Sequence, residues 1–183
     1  VTDIIDEIFA LFERFGSERY GEDVSLENHM LQTAAQAEAM AAPDHVVVAA
    51  LLHDVGHFLH ADSRVAVAQG RDLEHEALGA AWLSQAFGDD VTAPIALHVE
   101  AKRYLCAVEP EYHAQLSQAS RDSLEVQGGV MSSEDASSFA QHPAFEAAVL
   151  LRRCDDRGKD AFVQPQPLEH YRALMTSSLR RSP

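Results

Sequence analysis

The chain predicts an all-α fold in a single domain. Three observations carry that reading: apolar residues recur at three- and four-residue spacing, no run alternates apolar and polar residues long enough for a useful strand, and Gly128-Gly129 is the only paired glycine. At 183 residues, 46% of them apolar, the chain can build one sizeable core and is too short for two ordinary domains.

Ile4, Ile5, Ile8, Leu11, Phe12 and Phe15 share one helical face, and Gly16 ends that first helix. A polar loop from Ser17 to Leu26 leads into a helix carrying His29 and an alanine-rich run to Ala42. Pro43 suits the first position of the third helix, whose apolar run Val46 to Leu52 reaches His53-Asp54. From Phe58 to Asp72 the chain is polar and aperiodic, a loop of the length often used for lids or binding segments. A helix from about Leu73 to Phe87 carries His75, and a shorter one from Asp90 carries His98, with Ala101-Lys102-Arg103-Tyr104 after it. Short helices are expected near Pro110 to Leu116 and Ser117 to Leu124, followed by a turn at Gln127-Gly128-Gly129. The helix after Pro143 holds Phe145, Ala148, Val149, Leu151 and Arg152 and reaches Asp155. Gln164-Pro165-Gln166-Pro167 then links to a final helix with Leu168, Tyr171, Leu174 and Met175 on one side, packed on the same domain spanning 1–183.

Charge narrows the function classes. With 29 acidic against 14 basic residues the net charge is -15, which repels nucleic acid and anionic membrane as partners. An anionic substrate would need a local basic pocket. Cys106 and Cys154 are too few and too far apart for a disulfide framework or a Cys-x-x-Cys ligand pair, and read as small buried hydrophobes. No apolar stretch approaches the ~20 residues of a membrane span, and the first residues carry acids rather than a basic signal flank, so the cytoplasm is the expected location. No feature of the sequence sets an oligomeric state.

The most informative string is His53-Asp54-Val55-Gly56-His57, because it places ligands at the end of a buried helix. An imidazole beside a carboxylate can chelate a metal, and the second carboxylate oxygen is free to bridge to another ion. His53 and His57 stand four apart, as in the His-Glu-x-x-His of zinc proteases, but Asp54 is a methylene too short for the required Glu and Gly56 weakens the helix that motif needs. A plainer reading makes Gly56 a C-terminal cap, with histidines favoured by the helix dipole. Three further histidines decide between these readings. His29, His75 and His98 each fall at a core-facing or helix-end position, and burying several unpaired imidazoles would cost more than a domain of this size absorbs.

The order His29, His53-Asp54, Asp155 resembles the HD-domain superfamily of metal-dependent enzymes, and the added His75 and His98 match its two-metal members. More narrowly, the chain is similar to the HD-domain mixed-valent diiron oxygenases that cleave carbon–phosphorus bonds, the 2-amino-1-hydroxyethylphosphonate dioxygenases. The strings that carry this run from Ala50-Leu51-Leu52-His53-Asp54-Val55-Gly56-His57 through His98-Val99-Glu100-Ala101-Lys102-Arg103-Tyr104-Leu105 and Leu116-Ser117-Gln118-Ala119-Ser120. Gln127-Gly128-Gly129-Val130-Met131 and Leu151-Arg152-Arg153-Cys154-Asp155-Asp156 complete the match.

The resemblance implies two iron ions as an Fe(II)/Fe(III) pair, with O2 as co-substrate. One ion would be held by His29, His53, Asp54 and Asp155, the other by Asp54, His75 and His98. Asp155 is preferred to Asp156 because the family places a Lys four residues after the ligand, matching Lys159. The phosphonate would meet His57, Lys102 and Arg152, with Ser120 and Ser123 as hydroxyl donors, and the reacting centre would lie among His53, Asp54, His98 and His57. The family's acidic residue near the substrate amine falls at Glu22. Its neighbouring tyrosine, three residues before that acid, is replaced by Arg19 here, and the nearest tyrosine is Tyr20. An N-methylated ammonium held by Tyr20 with Glu22 or Asp23 is therefore one option beside a free amine. Products would be phosphate and glycine or glycine betaine. The alternatives are an HD-domain phosphohydrolase that activates water with a divalent metal, and a ligand sensor without catalysis.

Overall fold

The computed structural model describes residues 3–19, 23–59 and 74–180. Among them the architecture is all-α; the single β feature is an isolated antiparallel bridge between Phe87 and Leu179. α1 (Ile4–Phe15) is capped by Asp3, whose carboxylate accepts from the Ile5 amide at 3.1 Å, and it buries Ile5, Ile8 and Phe12. α2 (Leu26–Ala39) is capped by Ser25, whose hydroxyl accepts from the Asn28 amide at 3.2 Å. It stops short of Ala42 because the chain reverses through Ala41, which takes a left-handed φ of 53°.

α3 (Asp44–Leu52) starts one residue after Pro43, which is the cap rather than the first helical residue. Every residue from Val46 to Leu52 is buried, so this helix is apolar all round and forms the middle of the molecule. The helix ends at Leu52 with His53 as its cap, and a turn separates it from α4 (Gly56–Leu59). His53 and His57 therefore do not share one continuous helix face, which removes the protease-like geometry. The expected loop from Phe58 to Asp72 falls largely outside the described residues; Phe58 and Leu59 close α4.

α5 (His75–Leu83) is shorter than expected and begins at His75 itself. α6 (Asp89–Val108) corrects the sequence reading: it is one helix of 20 residues that carries both His98 and the Ala101 to Tyr104 segment. α7 (Pro110–Gln115) and α8 (Gln118–Val126) lie close to where they are expected, and Gly128 and Gly129 make the turn with positive φ. α9 (Ser133–Phe139) was not anticipated. α10 (Phe145–Arg157) carries Arg152 and Asp155, and the final segment is a 3-10 turn, Leu168–Tyr171, continuing into α11 (Arg172–Ser177).

α3 packs against α2, α6 and α10, and α5 lies across α4 and α6. The main core joins α1, α2, α3 and α5 to the first half of α6, with Leu151, Cys154, Tyr171 and Met175 closing it. A second cluster of Ala101, Met131, Ala136, Phe139 and Ala148 covers the later half of α6, which is why that half stays helical and buried. Both cysteines are buried and unbridged, as expected. No described helix is long and apolar enough to cross a membrane.

Candidate active site

α2, α5 and α6 and the end of α3 converge on four buried histidines and Asp54. His29 Nε2 lies 3.2 Å from His53 Nε2, and His75 Nε2 lies 3.2 Å from His98 Nε2. The opposite ring nitrogens are anchored. His29 Nδ1 is 3.0 Å from the Gly158 carbonyl, His53 Nδ1 is 2.9 Å from that of Ala50, and His98 Nδ1 is 2.8 Å from that of Ile95. A carbonyl oxygen only accepts, so these three Nδ1 atoms carry the protons and turn bare Nε2 lone pairs inward. His75 Nδ1 instead faces the Glu76 carboxylate at 3.3 Å.

Asp54 lies between the two pairs and divides its oxygens. Oδ2 is 3.5 Å from His53 Nε2 and 3.6 Å from His29 Nε2, while Oδ1 is 3.3 Å from His75 Nε2 and 3.8 Å from His98 Nε2. Asp155 adds Oδ1 at 3.4 Å from His29 Nε2. Two groups of donors therefore meet the requirement for metal binding, His29-His53-Asp54 and Asp54-His75-His98, each with its donor atoms within 4.8 Å of one another. Paired lone pairs 3.2 Å apart repel unless a cation or proton lies between them. That spacing is close to the roughly 3.0 Å separating neighbouring ligands at right angles around an ion with bonds of about 2.1 Å. The donor set fits two ions sharing Asp54.

The electrostatics agree. Burial opposes ionisation of Asp54, but the surrounding imidazoles of His53, His75 and His57 outweigh it and hold the carboxyl well below its ordinary range. In each pair one imidazole is pushed one way and its partner the other. Burial lowers His53 and His98 more than the carboxylates recover; for His29 and His75 the adjoining carboxylates, Asp155 and Asp54 respectively, overcome burial and raise them. A pair that divides in this way has room for one positive charge between its rings.

Gly56 explains why the string contains a glycine. A Cβ there would stand 1.9 Å from the His75 carbonyl oxygen and 2.7 Å from its carbon, so the missing side chain lets α4 lie against the start of α5. Its role is close approach rather than a C-cap. Gly158 does the same after α10, where a Cβ would meet Thr33 Oγ1 at 2.5 Å and the His29 carbonyl at 3.0 Å.

Beside these groups lies a layer of cations and hydroxyls. Lys102 is 2% exposed, and its ammonium donates to Ser123 Oγ at 2.7 Å and to Gln127 Oε1 at 2.5 Å. Burial, then the nearby Arg152 charge, pull its pKa down to about 7. Lys159 donates to Ser120 Oγ at 2.8 Å and lies 4.0 Å from Asp155 Oδ1. Arg152, also buried, pairs with Asp155 Oδ2 at 2.7 Å and with Asp156. His57 stacks on His75 with ring centroids 4.1 Å apart and lies 4.0 Å from Asp54; burial and the adjacent imidazole lower it to about 3, so it is neutral at pH 7.

The structure thus gathers His29, His53, Asp54, His75, His98 and Asp155 into one cluster, with His57 against it. Lys102, Ser120, Ser123 and Arg152 form the adjoining layer. Tyr20 and Glu22 lie outside the described residues, and Arg19 and Asp23 are exposed. Sequence reasoning missed what Gly158, Glu76 and Gln127 do here, because each acts through a contact with a distant segment or a ring nitrogen rather than through a ligand pattern.

The HD-domain family pattern matches residues 26–127. The chain is 39% identical over 173 residues to a [1-hydroxy-2-(trimethylamino)ethyl]phosphonate dioxygenase (glycine-betaine-forming) of Leisingera caerulea, covering 94% of this chain and 88% of that one. It is 41% identical over 181 residues to a hydroxymethylphosphonate dioxygenase of Gimesia maris, covering 97% and 89%. An uncharacterized protein of Acanthamoeba polyphaga mimivirus is 34% identical over 181 residues, covering 97% and 83%.

Proposed function

This chain belongs to the HD-domain family, in the group that includes the phosphonate dioxygenases, and from that premise we propose that it cleaves the C–P bond of a 1-hydroxyphosphonate with O2. The observation that carries the reading is the division of Asp54 between two histidine pairs, beside a buried layer of Lys102, Ser123, Ser120 and Arg152. His29, His53, Asp54 and Asp155 would hold one ion, and Asp54, His75 and His98 the other. We assign iron, as a mixed-valent pair, because imidazole and carboxylate ligands suit it and the reaction is an oxidation by O2. Two such ions would supply dioxygen activation and the redox equivalents.

The chain's own residues do the rest. The Lys102 ammonium and Arg152 guanidinium neutralise the phosphonate, which offsets the field of an acidic protein. Ser120 offers its hydroxyl hydrogen, Ser123 can offer one by giving up its 3.1 Å bond to the Ser120 carbonyl, and His57, being neutral, offers one nitrogen proton without adding charge. Together they orient C1 toward the metal groups. The overall reaction balances: a 1-hydroxyphosphonate and O2 give a carboxylic acid and phosphate. A 1-hydroxy-2-aminoethylphosphonate would give glycine and its trimethylated analogue glycine betaine. Tyr20 and Glu22 are proposed for the amine end.

The relative at 41% identity favours a second substrate, hydroxymethylphosphonate, which has no amine and would give formate. The phosphohydrolase alternative needs neither O2 nor a 1-hydroxyl. A single domain over 1–183 and a cytoplasmic location belong to the same proposal. The deciding experiment measures phosphate release from iron-loaded protein, with and without O2. The three substrates are 1-hydroxy-2-aminoethylphosphonate, its trimethylammonio analogue and hydroxymethylphosphonate. Release confined to aerobic samples supports the oxygenase, and the preferred compound identifies the substituent that C1 carries. Release without O2 would return the hydrolase.

A further inference from the structure

Arg152 is gripped from behind by two side chains that the proposed reaction does not use. Its Nε donates to Tyr112 Oη at 3.0 Å and to Asp156 Oδ2 at 3.3 Å, and its Nη2 donates to Asp156 Oδ1. Tyr112 Oη in turn donates to Asp156 Oδ2 at 2.5 Å, closing a three-membered network. On the other side Nη1 reaches Asp155 Oδ2 at 2.7 Å. A guanidinium has five N–H donors, so these contacts use three and leave one each on Nη1 and Nη2 for another ligand.

The network has the chemistry of a fixed clamp. Burial, then the Asp156 charge, raise the Tyr112 phenol well above its ordinary value, so it stays a hydrogen-bond donor at any working pH. Asp156 holds Arg152 through a two-point fork, which sets the plane of the guanidinium as a single contact could not. Tyr112 arrives from α7, a separate segment, so the plane is tied to the fold rather than to α10 alone. A hollow of about 210 Å³ is bounded by Tyr112, Gln115, Leu116, Arg153, Asp156 and Arg157, but by neither Arg152 nor Asp155. Tyr112 and Asp156 thus separate that hollow from the guanidinium.

We propose that Tyr112 and Asp156 are positioning residues that fix Arg152 so that its two remaining N–H groups meet the phosphonate. The proposal rests on the reading of Arg152 as a phosphonate-binding residue. Without the clamp the guanidinium would be free to turn fully onto Asp155, its other anionic partner among the described residues.

The test uses the iron-loaded full chain and methylphosphonate, an unreactive probe that lacks the 1-hydroxyl, with its dissociation constant measured by calorimetry. Tyr112→Phe should weaken binding about tenfold, the scale of one lost hydrogen bond to a charged network. KM for the preferred 1-hydroxyphosphonate should rise in parallel, with kcat within about twofold and iron content and Tm unchanged. In an Arg152→Ala background the same Tyr112→Phe change should have no further effect on binding, because the hydroxyl acts through Arg152. A merely structural role would lower Tm in both backgrounds and leave affinity coupled to neither. Tyr112→Phe keeps the ring and removes only the phenol oxygen that meets Arg152 and Asp156, so it carries the test with little change in packing. Unchanged affinity in Tyr112→Phe, an equal loss in both backgrounds, or no methylphosphonate binding by the wild type would overturn the proposal. Wild-type binding with the expected Tyr112 dependence but no aerobic turnover would overturn the oxygenase reading and leave the clamp standing.

Discussion

Gly56 lies against His75 so closely that a methyl group on its Cα would overlap the His75 carbonyl oxygen. The obstructing atom is backbone, which cannot rotate away as a long side chain would. Gly56→Ala should therefore push α4 from α5, cost about 3 kcal/mol of stability, and spoil the Asp54-His75-His98 group. Denaturant midpoints together with metal content per chain would check this; a variant that keeps both metals and its midpoint would contradict it.

His98 supplies an Nε2 to one donor group only, whereas Asp54 faces both. His98→Ala should reduce bound metal from two ions per chain to one and abolish turnover, while Asp54→Ala should lose both ions. Elemental analysis of chains loaded under identical conditions separates the two outcomes. Two ions retained in the His98 variant would rule out this partition of ligands.

Removing metal should destabilise the protein, because each pair of imidazoles turns lone pairs toward one another at 3.2 Å. A metal that binds the folded and not the unfolded chain adds stability by mass action, about 2.7 kcal/mol at a hundredfold excess over its dissociation constant. Dialysis against a chelator is expected to lower Tm, and re-addition of Fe(II) to restore it. A Tm indifferent to chelation would argue that the pairs hold no ion.

Lys102 gives the expected pH dependence. Its pKa is lowered from 10.5 to about 7, so the free protein loses this charge as pH rises through 7. Phosphonate capture should weaken correspondingly, seen as kcat/KM falling above pH 7, and Lys102→Met should lose that limb of the profile. The stability contribution has the opposite sense. Between about 7 and 10.5 the unfolded chain binds the Lys102 proton more readily than the folded one, so this group makes stability rise with pH across that window.

Glu76 sets His75 apart from the other three histidines, which lean on main-chain carbonyls. A carboxylate behind an imidazole makes it a stronger donor, and losing such a partner typically weakens metal affinity by about 10–100-fold. Glu76→Gln should show that loss in competition with a metal chelator, confined to one of the two ions.

What the sequence revealed depended on whether a residue's role was written in its own neighbourhood. The clustered histidines were legible because His53-Asp54 ends an apolar run and His29, His75 and His98 fall at core-facing or helix-end positions. The length of α6 was not, because Lys102-Arg103 interrupts the apolar pattern, and the partners that bury Lys102, Ser123 and Gln127, lie on a later segment. α9 was missed for its polar sequence, although Ser132 followed by Asp135 is a capping signal: the Ser132 hydroxyl accepts from the Asp135 amide at 3.1 Å. The clamp on Arg152 was out of reach, since Tyr112 and Arg152 are 40 residues apart. The resemblance sets Asp156 aside as a ligand in favour of Asp155, and the structure gives it to Arg152.

His53 and His98 each lean on the carbonyl three residues earlier in their own chain segment, Ala50 and Ile95. Each is a self-contained unit in which the segment that carries the ring also aims it, whatever the neighbouring helices contain. His29 has no such independence, since its aim is set by Gly158, more than a hundred residues further along. The two members of the His29-His53 pair thus differ in portability. The units around His53 and His98 could be grafted onto another helical scaffold as short peptides, but His29 would have to travel with the end of α10.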